Sequence, residues 1–256
     1  MRGPSNPNGQ GVASPMYHGL APYYDAIYAW KNYALECRRL ESVARRFGRS
    51  GGTSWLDVAC GTGRHLEYLR RRHACVGVDA SPEMLRIARQ RLPGIRFVRG
   101  DMRTFDLREK FDVVSCLFSA VGHLRTERDL ARSFANFVRH LRPGGVVIVE
   151  PWLEPSRFRP GSVHLRTYAD PKVTIVRVAY SSRRGNQSII RYSFLIGEPE
   201  RGIHHIEEVD RGFLASSRLL QELMRKTGLT PRFFRHGFTR DRGLLVGMKP
   251  VSVAGD

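Results

Sequence analysis

The chain has 256 residues, of which 41% are apolar and 26% charged, a balance typical of globular proteins and long enough to bury a sizeable core. No apolar run approaches the roughly 18 residues of a membrane span. The first residues lack the hydrophobic stretch of a secretory signal, and Cys37, Cys60, Cys75 and Cys116 form no C-x-x-C pair. These features argue against a helical membrane protein and a disulfide scaffold, and point to a reducing, cytoplasmic setting. The formal charge is +18, with arginine supplying 37 of the 42 basic residues. A nucleic acid or an anionic small substrate could use such a charge. It is spread as +10 over residues 1–150 and +8 over 151–256, which favours a solvated, biased surface.

Residues 1–15, rich in Gly, Pro, Asn and Ser, are predicted to be loosely ordered. A helical spacing of apolar residues follows over 17–47 and predicts helix there, ended by the Gly-Arg-Ser-Gly-Gly break at 48–52. Short apolar runs then alternate with amphipathic stretches. Strands are predicted at 54–59, 74–79, 95–99, 111–117 and 145–150, and helices at 64–72, 83–91 and 126–141. Ser81-Pro82-Glu83 reads as an N-cap with proline at the first helical position. Pro143-Gly144-Gly145 reads as the turn between the third helix and the next strand. This rhythm predicts an α/β fold, a doubly wound and mostly parallel sheet covered by helices on both faces. Four strand-like runs without helices, over 162–214, predict an antiparallel β insertion after the fifth strand. Arg183-Arg184-Gly185-Asn186 would be a hairpin turn within it. A helix at 216–227 and strands near 232–238 and 243–249 complete the main domain.

The stretch Asp57-Val58-Ala59-Cys60-Gly61-Thr62-Gly63 lies between a strand and a helix, so Gly61 and Gly63 allow a ligand to approach the backbone at a helix N-terminus. A dinucleotide fingerprint would place a third glycine where Leu66 stands, and no Gly-Lys-Ser/Thr triplet marks a phosphate loop. An acid at the strand end, Asp57, suits an ammonium group. Asp79 ends the second strand, where a carboxylate can accept from two ribose hydroxyls. Asp101 follows the third strand and suits an adenine amino group, with Met102 packing on the ring. Three acids with these preferences describe S-adenosylmethionine. His204-His205 cannot share a metal ion, because neighbouring strand residues face opposite ways, and no metal is expected.

On these motifs the chain resembles class I S-adenosylmethionine-dependent methyltransferases, with Ala59 where many members have glycine. Tyr17-x-Gly19-x-Ala21-x-x-Tyr24-Asp25, Cys116-x-Phe118-Ser119-x-x-Gly122-His123, the segment 142–152 and Arg242-Gly243-Leu244-Leu245-Val246-Gly247 extend the likeness. They resemble the N,N-dimethyltransferases of nucleotide-linked 3-amino-deoxysugars. The resemblance implies a Rossmann-like seven-stranded sheet and S-adenosylmethionine bound by Tyr17, Tyr24, Tyr33, Ala80, Met84, Leu117 and Phe118 beside the residues above. It also implies an acceptor held by Ser119, His123, Trp152 and Arg242, with His123 and Tyr17 at the chemistry and Arg242 on a diphosphate.

The alternatives are another small amine or hydroxyl as acceptor, or RNA. Against RNA, Leu117-Phe118-Ser119-Ala120 stands where nucleobase amino-methyltransferases carry an Asn/Asp-Pro-Pro-Tyr/Phe tetrapeptide. The open edges of the insertion suit a homodimer.

Overall fold

In the computed structural model, which describes residues 19–239 and 241–251, the apolar runs of the first half become parallel strands. These are β1 (Ser54–Val58), β2 (Ala74–Asp79), β3 (Arg96–Arg99), β4 (Phe111–Cys116) and β5 (Leu141–Val149). Every residue of β4 is buried, as expected of a strand covered on both faces. On one side α2 (Tyr33–Phe47), α3 (Arg64–Leu69) and α4 (Pro82–Arg91) bring Leu40, Leu66, Leu69, Leu85 and Ala88 against the sheet. On the other, α5 (Glu127–Arg139) and α6 (Ser217–Lys226) supply Leu130, Phe134, Phe137, Leu220 and Met224.

Strands β10 (Thr230–Phe234) and β11 (Leu244–Met248) close the sheet, giving the order β3-β2-β1-β4-β5-β11-β10. β11 runs antiparallel to both of its neighbours. The chain direction across the sheet reverses between β1 and β4. In open α/β sheets, ligands bind beyond the carboxyl ends of the strands at such a switch point. The mostly parallel seven-stranded sheet predicted from the sequence is therefore present.

Three local expectations change. The helix predicted over 17–47 is broken. A 3-10 turn at Ala21–Tyr23 leads into α1 (Tyr24–Ile27), and α2 starts afresh at Tyr33. The Asn32 side chain accepts from the Leu35 amide at 2.9 Å and so caps a new helix, a short-range signal that the spacing of apolar residues hides. Pro143, Gly144 and Gly145 are not a turn before the strand but part of β5, which begins at Leu141. Gly144 has φ +74, and a Cβ there would lie 2.9 Å from the Arg49 backbone, so glycine permits the 48–52 break to cross the strand closely. The stretch predicted as helix over 64–72 ends at Leu69.

The insertion is a four-stranded antiparallel sheet, β6 (Val163–Ala169), β7 (Thr174–Arg184), β8 (Gln187–Glu198) and β9 (Gly202–Phe213), paired in chain order. Gly185, at φ +57, makes the tight β7–β8 turn. One face of this sheet buries Ile175, Phe194 and Ile196 against Leu20, Tyr23 and Ile27 of the N-terminal segment. The other leaves Val163, Leu165, Val178, Tyr180, Leu195 and Ile203 exposed. His204 stacks beside Tyr23, whereas His205 bonds Ser193. No helix among the described residues is long and apolar enough to cross a membrane.

Candidate active site

Ala59 has φ +58, Gly61 +55 and Gly63 +79, so the loop after β1 turns through three left-handed residues before α3. Two further left-handed residues, Phe118 at +51 and Ser119 at +64, follow β4. Left-handed backbone costs a residue with a side chain roughly 1 kcal/mol or more. All of these positions but Gly63 lie in loops at the carboxyl edge, where strain marks a functional site. An added Cβ at Gly61 would meet nothing within 4 Å, while one at Gly63 would press on Leu92 at 3.1 Å. The first glycine leaves room for a ligand, and the second lets α3 pack against α4.

At Ala59 the wild-type methyl accepts the strain. Ala59→Gly relieves it but gives back most of the gain as greater freedom of the unfolded chain. Its stability should therefore stay within about 0.5 kcal/mol of wild type. A β-branched side chain tolerates this conformation far worse, so Ala59→Val should lose at least about 1–2 kcal/mol. Thermal denaturation of both variants checks this, and equal melting temperatures for glycine and valine would refute it.

Asp79 lies where the sequence predicts a ribose acid. Its Oδ2 accepts from the Gly61 amide at 2.8 Å and its Oδ1 from the Ser81 amide at 2.8 Å. Burial raises its pKa, against the pull of these amides. A carboxylate has about four acceptor positions, so these amides leave it capacity to accept from a hydroxyl.

Asp57 is placed differently. It is buried beneath the loop and accepts from Ser115 Oγ at 2.7 Å, while Ser115 accepts from Trp55 Nε1 at 2.9 Å. Burial pushes its pKa up to about 6, against the opposing influence of His65 and Ser115. Asp101 has both oxygens on the Arg103 guanidinium, at 2.5 to 3.1 Å, and Arg103 also reaches Asp129 at 3.2 Å. That pair holds its carboxyl below the ordinary range. Met102 is half-buried beside it.

Of the remaining cofactor candidates, Cys60, Thr62, Met84 and Leu117 are buried, and Ala80 is exposed next to Asp79. Tyr33 is buried and packs edge-on against His65 at 5.0 Å. Tyr17 lies outside the described residues. Thr62 Oγ1 donates to Asp25 Oδ1 at 2.7 Å, and Arg91 pairs with Asp25 while donating to the Thr62 carbonyl at 2.7 Å. The Tyr24-Asp25 segment is thereby fastened to the glycine loop.

Beside this loop opens a cavity of about 740 Å³, within the 300–1,000 Å³ of small-molecule sites. Tyr24 and Tyr28 line it from α1 and the turn after it; Phe118, Ser119 and His123 from the loop after β4; and Trp152 from beyond β5. Arg177, Tyr192 and Asp210 enter from the insertion, and Arg242 from the approach to β11. The Arg242 guanidinium sits over the Trp152 ring at 4.9 Å and the Phe118 ring at 5.3 Å. Its Nε and that of Arg177 are buried without a hydrogen-bond partner among the described residues. His123 Nδ1 lies 3.2 Å from Asp210 Oδ1. The structure thus brings Tyr24, Phe118, Ser119, His123, Trp152 and Arg242 around one cavity; the glycine loop does not line it but is tied to the neighbour of Tyr24 through the Thr62–Asp25 bond.

Sequence reasoning missed the charges packed around Phe118. Lys31 is buried, with Nζ 2.7 Å from Glu36 Oε1, and Glu36 Oε2 is 2.8 Å from His65 Nε2. Burial opposes ionisation of Glu36, but His65 and Lys31 outweigh it and hold the carboxyl below its usual range. The Lys31 ammonium also lies 4.1 Å from the Phe118 ring centroid. Glu150 is buried, and its Oε2 accepts from the Phe118 amide at 2.7 Å, so it fixes one of the strained residues. Asp210, Arg177 and Tyr192 sit in strands that read only as β pattern, with no local motif to single them out.

The family model described as "Methyltransferase domain" matches residues 56–145. A dTDP-3-amino-3,6-dideoxy-alpha-D-glucopyranose N,N-dimethyltransferase from Streptomyces fradiae is 38% identical, over 90% of this chain and 90% of that protein. The chain belongs to the S-adenosylmethionine-dependent methyltransferases. A dTDP-3-amino-3,4,6-trideoxy-alpha-D-glucopyranose N,N-dimethyltransferase from Streptomyces venezuelae is 36% identical, over 89% of this methyltransferase and 97% of that protein. The crystal structure of DesVI, also from Streptomyces venezuelae, superimposes with a TM-score of 0.85 at 36% identity, over 90% of this chain and 98% of that one. The S-adenosylmethionine-bound structure of CalS10, an amino pentose methyltransferase from Micromonospora echinaspora, gives a TM-score of 0.80 at 34% identity, over 88% and 96%. The methyltransferase uses S-adenosylmethionine, and the loop fits it: Asp79 keeps acceptor capacity beyond the amides it holds, and the space over Gly61 is open.

Proposed function

We propose that this methyltransferase N-methylates the amino group of a nucleotide-linked amino deoxysugar. One observation carries the reading. The cavity beside the glycine loop joins two arginines, whose buried Nε atoms lack partners among the described residues, to a wall of aromatic rings. Guanidinium groups suit a diphosphate through paired donors, and rings suit the faces of a sugar or base. The relatives named above act on dTDP-amino sugars. A basic surface with no such enclosed site would have favoured RNA.

In this reading Asp79 takes the ribose hydroxyls of S-adenosylmethionine, and the 59–63 loop and Tyr24 enclose its methionine end. Asp57 works from beneath the loop, through Ser115 and the β1–β4 pairing, and not by reaching an ammonium directly. Asp101 presents an adenine-facing edge only in so far as Arg103 leaves it free positions. S-adenosylmethionine supplies an activated methyl group. The protein supplies alignment, a dry site and a proton acceptor. His123 stands against the acceptor amine and Arg242 against its diphosphate, and the role that the family likeness implies for Tyr17 is at the same amine.

The test is S-adenosylhomocysteine release with dTDP-linked 3-amino and 4-amino deoxysugars, compared with the free amino sugars and with bulk RNA. Turnover confined to the nucleotide-linked sugars is the expected result. Turnover on RNA, or on free amines alone, would overturn the reading.

A further inference from the structure

His123 closes the short 3-10 turn Ala120–His123, which the two left-handed residues Phe118 and Ser119 introduce. Its nearest carboxylate does not come from the methyltransferase sheet. It comes from the last third of β9, in the insertion, where Asp210 Oδ1 stands 3.2 Å from His123 Nδ1 with the Asp210 side chain 14% exposed. Both residues line the cavity.

We propose that Asp210 is a positioning residue for the transfer, which fixes His123 with Nδ1 toward β9 and Nε2 toward the acceptor amine, so that the pair collects the amine's proton. This rests on the amino-sugar reading above and deepens it.

The chemistry requires such a sink. An aliphatic amine is largely protonated near neutral pH and then has no lone pair for the methyl group. Proton transfer from the acceptor ammonium to Nε2 leaves a neutral amine and an imidazolium. The freed lone pair forms the N–C bond as the C–S bond breaks, and the bonding electrons return to sulfur as a neutral thioether. The imidazolium releases its proton to solvent, and the neutral imidazole so restored then takes the proton of the new N-methyl ammonium and passes it on before a second methylation. An imidazolium partly withdrawn from water is costly alone and is stabilised by an adjacent carboxylate. A neutral imidazole whose Nδ1 carries the proton presents Nε2 as its base.

The charges around His123 agree in direction. Burial pulls its pKa down, the Asp210 contact and charge pull it up, Asp79 adds to the rise, and the net direction is upward. The other titratable groups that line the cavity are Arg157 and Arg159 after Trp152, His164 and Arg166 on β6, Arg177 on β7, Tyr192 on β8, Asp241 and Arg242 ahead of β11, and Tyr24 and Tyr28.

Asp210→Asn keeps the shape and removes the charge, which leaves burial as the dominant influence on His123. Two readouts are taken on the full-length protein. Histidine-labelled NMR, with His123→Gln to assign the resonance, should show the His123 titration falling by about one pH unit or more in Asp210→Asn. Asp210→Glu should restore part of it. The acid limb of kcat/KM for a dTDP-amino sugar should move down by a similar amount, while the plateau falls at least tenfold. An unmoved His123 titration overturns the pairing whatever the acceptor proves to be. A titration that moves while the acid limb stays fixed overturns the proton-collecting role. Wild-type protein that binds S-adenosylmethionine but turns over no nucleotide-linked amino sugar overturns the acceptor reading instead, so the two failures are distinct.

Discussion

Asp79→Ala is expected to weaken S-adenosylmethionine binding roughly 10- to 150-fold, the equivalent of about 1.5–3 kcal/mol for hydrogen bonds to a charged group. The carboxylate acts twice. Inward, it accepts the Gly61 and Ser81 amides and so joins the glycine loop to the N-terminus of α4. Outward, it offers its remaining acceptor positions to the ribose. Removing it strands two backbone donors and takes away the ribose contacts together. The variant should therefore also melt several degrees lower, since about 1 kcal/mol is worth roughly 2–4 °C in a protein of this size. Calorimetric titration well below that melting point separates the two effects. Asp101→Ala is the comparison. Arg103 already holds both of its oxygens, so its loss of affinity should be the smaller. Equal affinity of wild type and Asp79→Ala would remove Asp79 from the cofactor site.

Arg242→Ala should raise the KM for a nucleotide-linked amino sugar about 10- to 100-fold while leaving S-adenosylmethionine affinity unchanged. A diphosphate contact is made before and during transfer alike, and losing such uniform binding acts on KM more than on kcat. Arg242→Lys should recover only part of the loss. The guanidinium lies over Trp152 and Phe118, where a planar cation stacks and still presents donors, and an ammonium is a point charge on a flexible stem. Arg242 also lies near the buried Glu150, whose pKa burial raises against the pull of Arg242 and Lys31. A free, uncharged amine serves as the control acceptor. If it loses activity in parallel with the nucleotide sugar, Arg242 holds the loop after β4 in place and does not read a phosphate.

The sequence by itself determined the sheet, the glycine loop and the acid at the end of β2. Each is a short-range pattern. Alternation of apolar runs with amphipathic stretches gives parallel strands under helices. Gly61 and Gly63 permit left-handed backbone, and Asp79 sits at a strand end that the same rhythm marks. Even the break at Asn32 was written locally, in a cap the apolar spacing obscured. Family likeness marked His123 and Arg242, but their surroundings were not legible. Asp57 reads as an exposed acid at a strand end until the β1–β4 pairing buries it against Ser115. Asp101 reads as free until Arg103 folds back on it. Asp210 lies 87 positions after His123, on a strand whose own pattern reports only which face is buried. Only folding the insertion beside the carboxyl edge of the sheet brings that carboxylate to the imidazole. A side chain's partner across such a distance depends on how two sheets dock, and periodicity along one strand carries no information about that.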